Sequence, residues 1–181
     1  MKGKLYTGEG DSGETGVLGS GRYPKSHKLF EALGSIEELS ASLGIVKAFL
    51  ITDSEKELLT GLQRSLYRLM AHLSVTNNKQ ELEYFAPTEL LFIEKTIEEL
   101  SNEIDIPEGF ILPGDTIVSA QLDLARAISR RVERRVVDLY TRKTAKQAHI
   151  LAYVNRLSTL LFLLEIREID RSNDQTITMA K

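Results

Sequence analysis

The chain has 181 residues, 42% of them hydrophobic and 27% charged, with a formal net charge of −3. That length fits one domain whose core buries roughly two-thirds of the unfolded surface, and the slightly acidic balance excludes a general pull toward nucleic acid or anionic membrane. With no cysteine, disulfides, thiolate metal sites and a cysteine nucleophile are excluded, in keeping with a reducing, cytoplasmic setting.

In chain order the first feature is glycine. Seven of the 12 glycines fall within the first 21 residues (Gly3, Gly8, Gly10, Gly13, Gly16, Gly19 and Gly21) and mark an arm over residues 1–27. Its opening, "MKGKLYTGEG", has no apolar signal-peptide core, and no run of about 18 apolar residues follows anywhere to suggest a membrane span. The stretch "TGEGDSGETG", Thr7 to Gly16, is suited to anions: close glycines let backbone N–H groups converge, and Thr7, Ser12 and Thr15 add hydroxyl donors. It is not a P-loop, because no Gly-Lys-Ser/Thr follows, and no long strand or opening helix frames it as a dinucleotide fingerprint. A mobile glycine-rich arm is the plain alternative. Outside "KGKLYTG" no strand-period segment of convincing length is present.

The body, residues 28–169, reads as five helices, an all-α antiparallel bundle with a four-helix core plus one. From about Lys28 to Leu50, Leu29, Leu33, Ile36, Leu39, Leu43 and Val46 repeat at threes and fours, the spacing of one helix face. Asp53 or Ser54 is the expected N-cap of a second helix to about Val75, carrying Leu58, Leu62, Leu66, Leu69 and Leu73. After the polar turn "SVTNNKQ", a third helix follows Pro87 and runs to about Glu103, ahead of the breakers Pro107 and Gly109. A fourth spans about Thr116 to Arg142 and a fifth about Ala145 to Ile169. The tail, residues 170–181, is polar and expected to fray.

The fourth helix holds the most unusual stretch, "ARAISRRVERRVV". At roughly 100° per residue, Arg126, Arg130, Glu133 and Arg134 fall within one arc of about 100°, while Leu124, Ile128, Val132, Val136 and Leu139 take the opposite side. Five arginines and one glutamate between Arg126 and Arg135 give a local charge of +4. Guanidinium forks match phosphate oxygens bidentately at any working pH, which suits a polyphosphate. A solvated face with Glu133 paired to its neighbours is the plain alternative; a nucleic-acid stripe usually brings a basic domain and interleaved aromatics, both missing here. His27, His72 and His149 are too scattered to suggest a metal site.

Several stretches together resemble the PduO-type family of ATP:cob(I)alamin (corrinoid) adenosyltransferases. Its members carry T-K-T-G-D-x-G-x-T, a downstream lysine, G-T-x-D-E-L, F-I-L-P-G-G, R-R-A-E-R-R and N-R-L-S-D. Here these read "TGEGDSGET", Lys25 in "RYPKSHKLFEALG", "GSIEEL", "FILPGD", "SRRVERRVV" and "YVNRLSTLLF", in the same order from about Lys4 to Phe162.

The resemblance implies a homotrimer with an active site at each subunit interface, transferring the 5′-deoxyadenosyl group of ATP to the cobalt of cob(I)alamin and releasing triphosphate. Carried over by position, Thr7, Gly8, Glu9, Gly10, Thr15, Gly16 and Lys25 contact ATP from the arm of one chain. Arg130, Arg131, Glu133, Arg134 and Asn155 contact it from the neighbour, and Mg²⁺ travels with the phosphates rather than in a protein cage. Arg130, Glu133, Arg134 and Phe110 carry the catalytic roles, Phe110 covering the lower face of the corrin and keeping its lower base off the cobalt. Arg126 corresponds to an arginine that pairs with an acidic residue, here Glu37, in the first helix of another subunit.

Five positions depart from the family pattern. Gly8 replaces a lysine, Glu9 a threonine, Asp115 the second glycine of the F-I-L-P-G-G turn, Asp123 the histidine of L-H-x-A-R, and Thr159 the aspartate of N-R-L-S-D. Two other readings follow from these residues: a non-catalytic relative that binds nucleotide or corrinoid, and a helical-bundle interaction protein whose arginine face meets nucleic acid or an acidic partner. The sequence leaves open whether Tyr6 and Tyr84 touch a ligand.

Overall fold

A computed structural model of the chain describes residues 6–50, 52–75, 85–140, 147–172 and 176–180. A short antiparallel hairpin, β1 (Glu14–Gly16) and β2 (Arg22–Pro24), precedes five helices: α1 (Lys28–Phe49), α2 (Asp53–Ser74), α3 (Thr88–Glu103), α4 (Ile117–Leu139) and α5 (Ala148–Arg171). α1 packs on α2 and α4, and α5 packs on α4 and α3. The result is the expected antiparallel five-helix bundle, with a core to which all five helices contribute, α3 through Ile93 and Leu100.

The heptad-like spacing places the core as anticipated. Ile36, Leu39, Leu43 and Val46 of α1 and Leu62, Leu66 and Leu69 of α2 are fully buried, each worth about 1.5–3 kcal/mol relative to exposure. α5 carries an 18-residue window of mean hydropathy 1.3. Its apolarity serves the bundle: Leu157, Leu160, Leu163, Ile166 and Ile169 are buried on several sides, the mark of a central helix. Tyr153 meets Phe85 edge to face at 4.9 Å, and His149 stacks on Phe85 at 6.1 Å.

Several expectations are corrected. The N-cap of α2 is Thr52, whose extended backbone ends the connection from α1; its hydroxyl donates to Glu55 and leaves the first turn without a side-chain cap. Leu124 is 49% exposed, because the buried stripe of α4 runs through Leu122, Ala125, Ser129, Val132 and Val136 and Leu124 stands about 100° from its centre. The hairpin was not expected, since strands of three residues offer no period to read. The tail is not frayed where described: Ile111 and Met179 form an antiparallel bridge between the α3–α4 loop and residues 176–180. The "KGKLYTG" start, the "SVTNNKQ" turn, Tyr84, and the expected α4 and α5 limits at Arg142 and Ala145 lie wholly or largely outside the described residues.

Candidate active site

The arm folds through two tight turns. Gly8 and Gly13 have φ of +78° and +83°, the left-handed region that glycine enters without a Cβ penalty. Asp11 N–H donates to Gly8 O at 3.1 Å and Gly13 N–H to Gly10 O at 3.2 Å. Register is set by Thr15 opposite Tyr23 and by Lys25 N–H donating to Gly13 O at 2.8 Å. That fold brings Lys25 over the loop: its Nζ lies 3.2 Å from where a Cβ on Gly10 would stand. Thr7, Gly8, Glu9 and Gly16 are exposed, with Gly10 and Thr15 half-buried beside them. A parallel bridge from Leu18 to Val75 fastens the arm to the end of α2, and His27 caps α1, its Nδ1 accepting from Leu29 N–H at 3.2 Å.

Arg22, on β2, is the arm residue that sequence reading missed. Its guanidinium donates to Glu9 O at 2.6 Å and Glu14 O at 3.3 Å, and lies 3.7 Å from the Glu9 carboxylate and 3.9 Å from that of Glu14. The anion gained at Glu9 therefore meets a cation from across the hairpin. Only the pairing of β1 with β2 reveals this, and that pairing has no local sequence signal.

On α4 the five arginines separate by angle. Arg126, Arg130 and Glu133 lean toward α5, Arg131 and Arg135 toward α1, and Arg134 points away from the core, between the two rows. Glu133 is the hub of the α5 side: it receives Arg130 Nη1 at 2.7 Å and Asn155 Nδ2 at 2.7 Å. Asn155 in turn accepts from Arg156 at 3.0 Å, and Arg156 reaches Glu94 of α3 at 3.3 Å. On the α1 side Arg131 pairs with Glu38 and Arg135 with Glu31, the latter at 3.4 Å. Arg134 has no carboxylate within 4.0 Å among the described residues. The local charge of +4 is thus a property of the helix sequence rather than of the surface, and the case for a broad basic face meeting an acidic partner weakens accordingly.

A third group lies at the amino-terminal end of α4. Phe110, in the loop ahead of it, is 86% exposed, so it is not a core aromatic. Arg126 donates through Nε to Asp123 at 2.9 Å, while Glu37 on the exposed face of α1 has no hydrogen bond or ion pair among the described residues. Asp123, standing where the family pattern has histidine, is what occupies Arg126 within the chain. Behind them Glu165 is 1% exposed, neither of its oxygens accepts a hydrogen bond among the described residues, and Arg126 Nε is 3.9 Å away. Burial, and then the charge of Asp123, push its pKa up to about 7.

The fold therefore brings the arm residues together with Lys25, and Arg130, Glu133 and Asn155 with one another. It turns Arg131 toward Glu38. No hydrogen bond or ion pair joins Thr7 to Gly16, or Lys25, to Arg130, Arg131 or Arg134 among the described residues; the two halves are separate within one chain.

Comparison with known proteins gives a consistent picture. Residues 5–168 match the cobalamin adenosyltransferase family. The chain is 31% identical over 162 residues to the corrinoid adenosyltransferase PduO of Salmonella typhimurium, covering 88% of this chain and 48% of that protein. It is 35% identical over 164 residues to the corrinoid adenosyltransferase of Bacillus subtilis, covering 88% and 83% respectively. The chain spans about half the length of the PduO relatives it matches. Among solved structures, it superposes with a TM-score of 0.87 and 25% identity on a phenylalanine-to-alanine variant of the PduO-type ATP:corrinoid adenosyltransferase of Lactobacillus reuteri complexed with cobalamin and ATP, over 98% of this chain and 99% of that one. An arginine-to-lysine variant of the same enzyme, complexed with ATP, superposes with a TM-score of 0.82 at 26% identity, over 98% and 100%. With nearly its whole length matched in sequence and in fold, the chain belongs to the cobalamin adenosyltransferase family.

Proposed function

We propose that the protein transfers the 5′-deoxyadenosyl group of ATP to the cobalt of cob(I)alamin, releasing triphosphate, as a cytoplasmic homotrimer whose sites form where the arm of one chain meets α4 of another. The observation that carries this reading is the Glu133 hub, which holds Arg130 and Asn155 at 2.7 Å each at the surface of α4 and α5. A guanidinium fixed before the reaction stabilises charge on a departing polyphosphate without reorganisation. The separation of the arm from Arg130 and Arg134 within one chain supports a site completed by a second copy.

The chemistry asks little of side chains as nucleophiles. Cobalt supplies the electron pair that forms the Co–C5′ bond, and the C5′–O bond breaks with its pair passing to the triphosphate oxygen, so the cobalt ends formally two electrons more oxidised. The protein's tasks are alignment of C5′ with cobalt and neutralisation of the leaving group. Arg130 and Arg134 serve the second task from α4. Lys25 and the turn N–H groups of the arm serve it from the other side, with Thr7 and Thr15 hydroxyls as further donors. Mg²⁺ prefers phosphate oxygens and water with one or two protein groups, and the arm offers such oxygens in Thr7 and Glu9. Arg131, paired with Glu38, positions α4 against α1 and reaches ATP only if that pair opens. Phe110, already exposed, is available to lie against the corrin.

The test mixes the protein with ATP, Mg²⁺ and chemically reduced cobalamin and follows adenosylcobalamin by its light-sensitive absorbance. Turnover should appear and should fall by about 10²–10³ in Arg130→Ala, the usual cost of removing one such donor, with the helical circular dichroism unchanged. ATP binding without product would favour a non-catalytic relative; no ATP binding would sink both readings.

A further inference from the structure

The segment after α5 returns to the loop that carries Phe110. Leu112 N–H donates to Thr178 O at 2.7 Å and Ala180 N–H to Phe110 O at 2.8 Å, flanking the Ile111–Met179 bridge. Alternation along this bridge places Phe110 and Leu112 on one face and Ile111 on the other. Met179 packs under the loop, its Cε 3.2 Å from where a Cβ on Gly109 would stand, at φ +114°. Asp115 takes both donors of Thr178: the backbone N–H at 3.0 Å and the hydroxyl at 2.7 Å. The next residue, Thr116, caps α4 reciprocally with Ser119, each bond 2.9 Å.

These contacts tie the backbone on both sides of an aromatic ring that itself stays 86% exposed. The ring contributes no burial to the fold, so stability alone does not account for holding its loop at several points. What the contacts fix is the ring's position relative to the start of α4. A flat ligand that had to order this loop would lose that ordering entropy from its affinity, whereas a loop held in advance loses little. Asp115 stands where the family turn has glycine, and in this chain each of its carboxylate oxygens accepts a hydrogen bond from Thr178.

We propose that Asp115 and Thr178 are positioning residues, a latch that sets the Phe110 loop for the corrin before it binds. The inference rests on the adenosyltransferase reading above and adds to it a determinant of corrin affinity remote from ATP.

The full chain is compared with Asp115→Ala, Thr178→Val and Thr178→Ser. Four quantities are measured: KM for cob(I)alamin, KM for ATP, the fraction of bound cob(II)alamin whose absorbance shows the lower base off, and amide hydrogen exchange at Leu112 and Ala180. Asp115→Ala removes both bonds to Thr178 and should raise KM for cob(I)alamin about tenfold while KM for ATP stays within about twofold, in the range for lost hydrogen bonds to an exposed charged group. Its base-off fraction should fall and exchange at Leu112 and Ala180 should quicken. Thr178→Val should move the same way by less, since it keeps the N–H bond, and Thr178→Ser should match the wild type. Wild-type corrin parameters in Asp115→Ala, or equal losses for ATP and corrin with no rescue by serine, would overturn the latch while leaving the adenosyltransferase reading intact. Absence of any product from the wild-type protein would bring down that reading, and the latch's role with it.

Discussion

Replacing Glu165 by Gln removes a charge that the bundle holds in a poorly solvated place. The carboxyl is 1% exposed and accepts no hydrogen bond among the described residues. Burial, and then the neighbouring charge of Asp123, raise its pKa from 4.5 to about 7, while Arg126 acts in the opposite direction. At about 1.36 kcal/mol for each tenfold change in proton affinity, that rise corresponds to about 3 kcal/mol. The sign follows from the direction of the shift. The folded pKa exceeds the unfolded one, so between 4.5 and about 7 the native state binds more protons, and stability falls as pH climbs through that window. Below it both states are protonated and the group contributes nothing; above it the full penalty applies. Gln carries no such penalty. Urea unfolding of both proteins, followed by circular dichroism at fixed protein concentration, should show the variant gaining about 3 kcal/mol on the wild type between about pH 4 and pH 8. A stability difference that stays constant within about 0.5 kcal/mol across that range would refute the argument, showing that Glu165 is solvated or stably paired in both protonation states.

Three further outcomes follow, two from the site and one from the core. Arg22→Ala leaves Glu9 without its cation and should raise KM for ATP about threefold, the size of an exposed pair, with Glu9→Gln on that background restoring it; no recovery would show that Arg22 acts on ATP itself. Arg134→Ala should weaken ATP binding about tenfold by titration calorimetry with an unchanged melting temperature, since no carboxylate of the described residues lies within 4.0 Å of it; a lowered melting temperature would mean it is structural. Leu157→Ala, at a fully buried position of α5, should cost about 2–5 kcal/mol in chemical unfolding, and a loss below about 1 kcal/mol would contradict its central place.

The helices were legible because their signal is local: Leu39, Leu43 and Val46 announce α1 within three turns, and Pro107 and Gly109 close off α3. What escaped was non-local. The Arg131–Glu38 pair joins residues 93 apart, so a charge of +4 read along α4 could not reveal its own neutralisation. Leu124 was misplaced because apolarity alone does not locate the centre of a stripe that includes Ser119 and Ser129, both buried with their hydroxyls bonded inside the helix. The arm's glycines signalled turns without saying that Arg22 would cross to Glu9. The tail, mostly polar, gave no sign that Asp115 would receive it. Membership of the family was legible through motif order, but the pairing of Glu9 with Arg22 and of Asp123 with Arg126 was not.

The pairing of Ile111 with Met179 also fixes an order of events. The loop between α3 and α4 and the segment after α5 are separated in the chain by two complete helices, so on a growing polypeptide the strand partner of Phe110 is synthesised only after α4 and α5. Non-local pairing of this kind also bears the largest chain-closure cost and is rewarded late. The bundle can therefore collapse around α5 while the presentation of Phe110 is still unset, and the loop that carries this ring is a late part of the fold to mature.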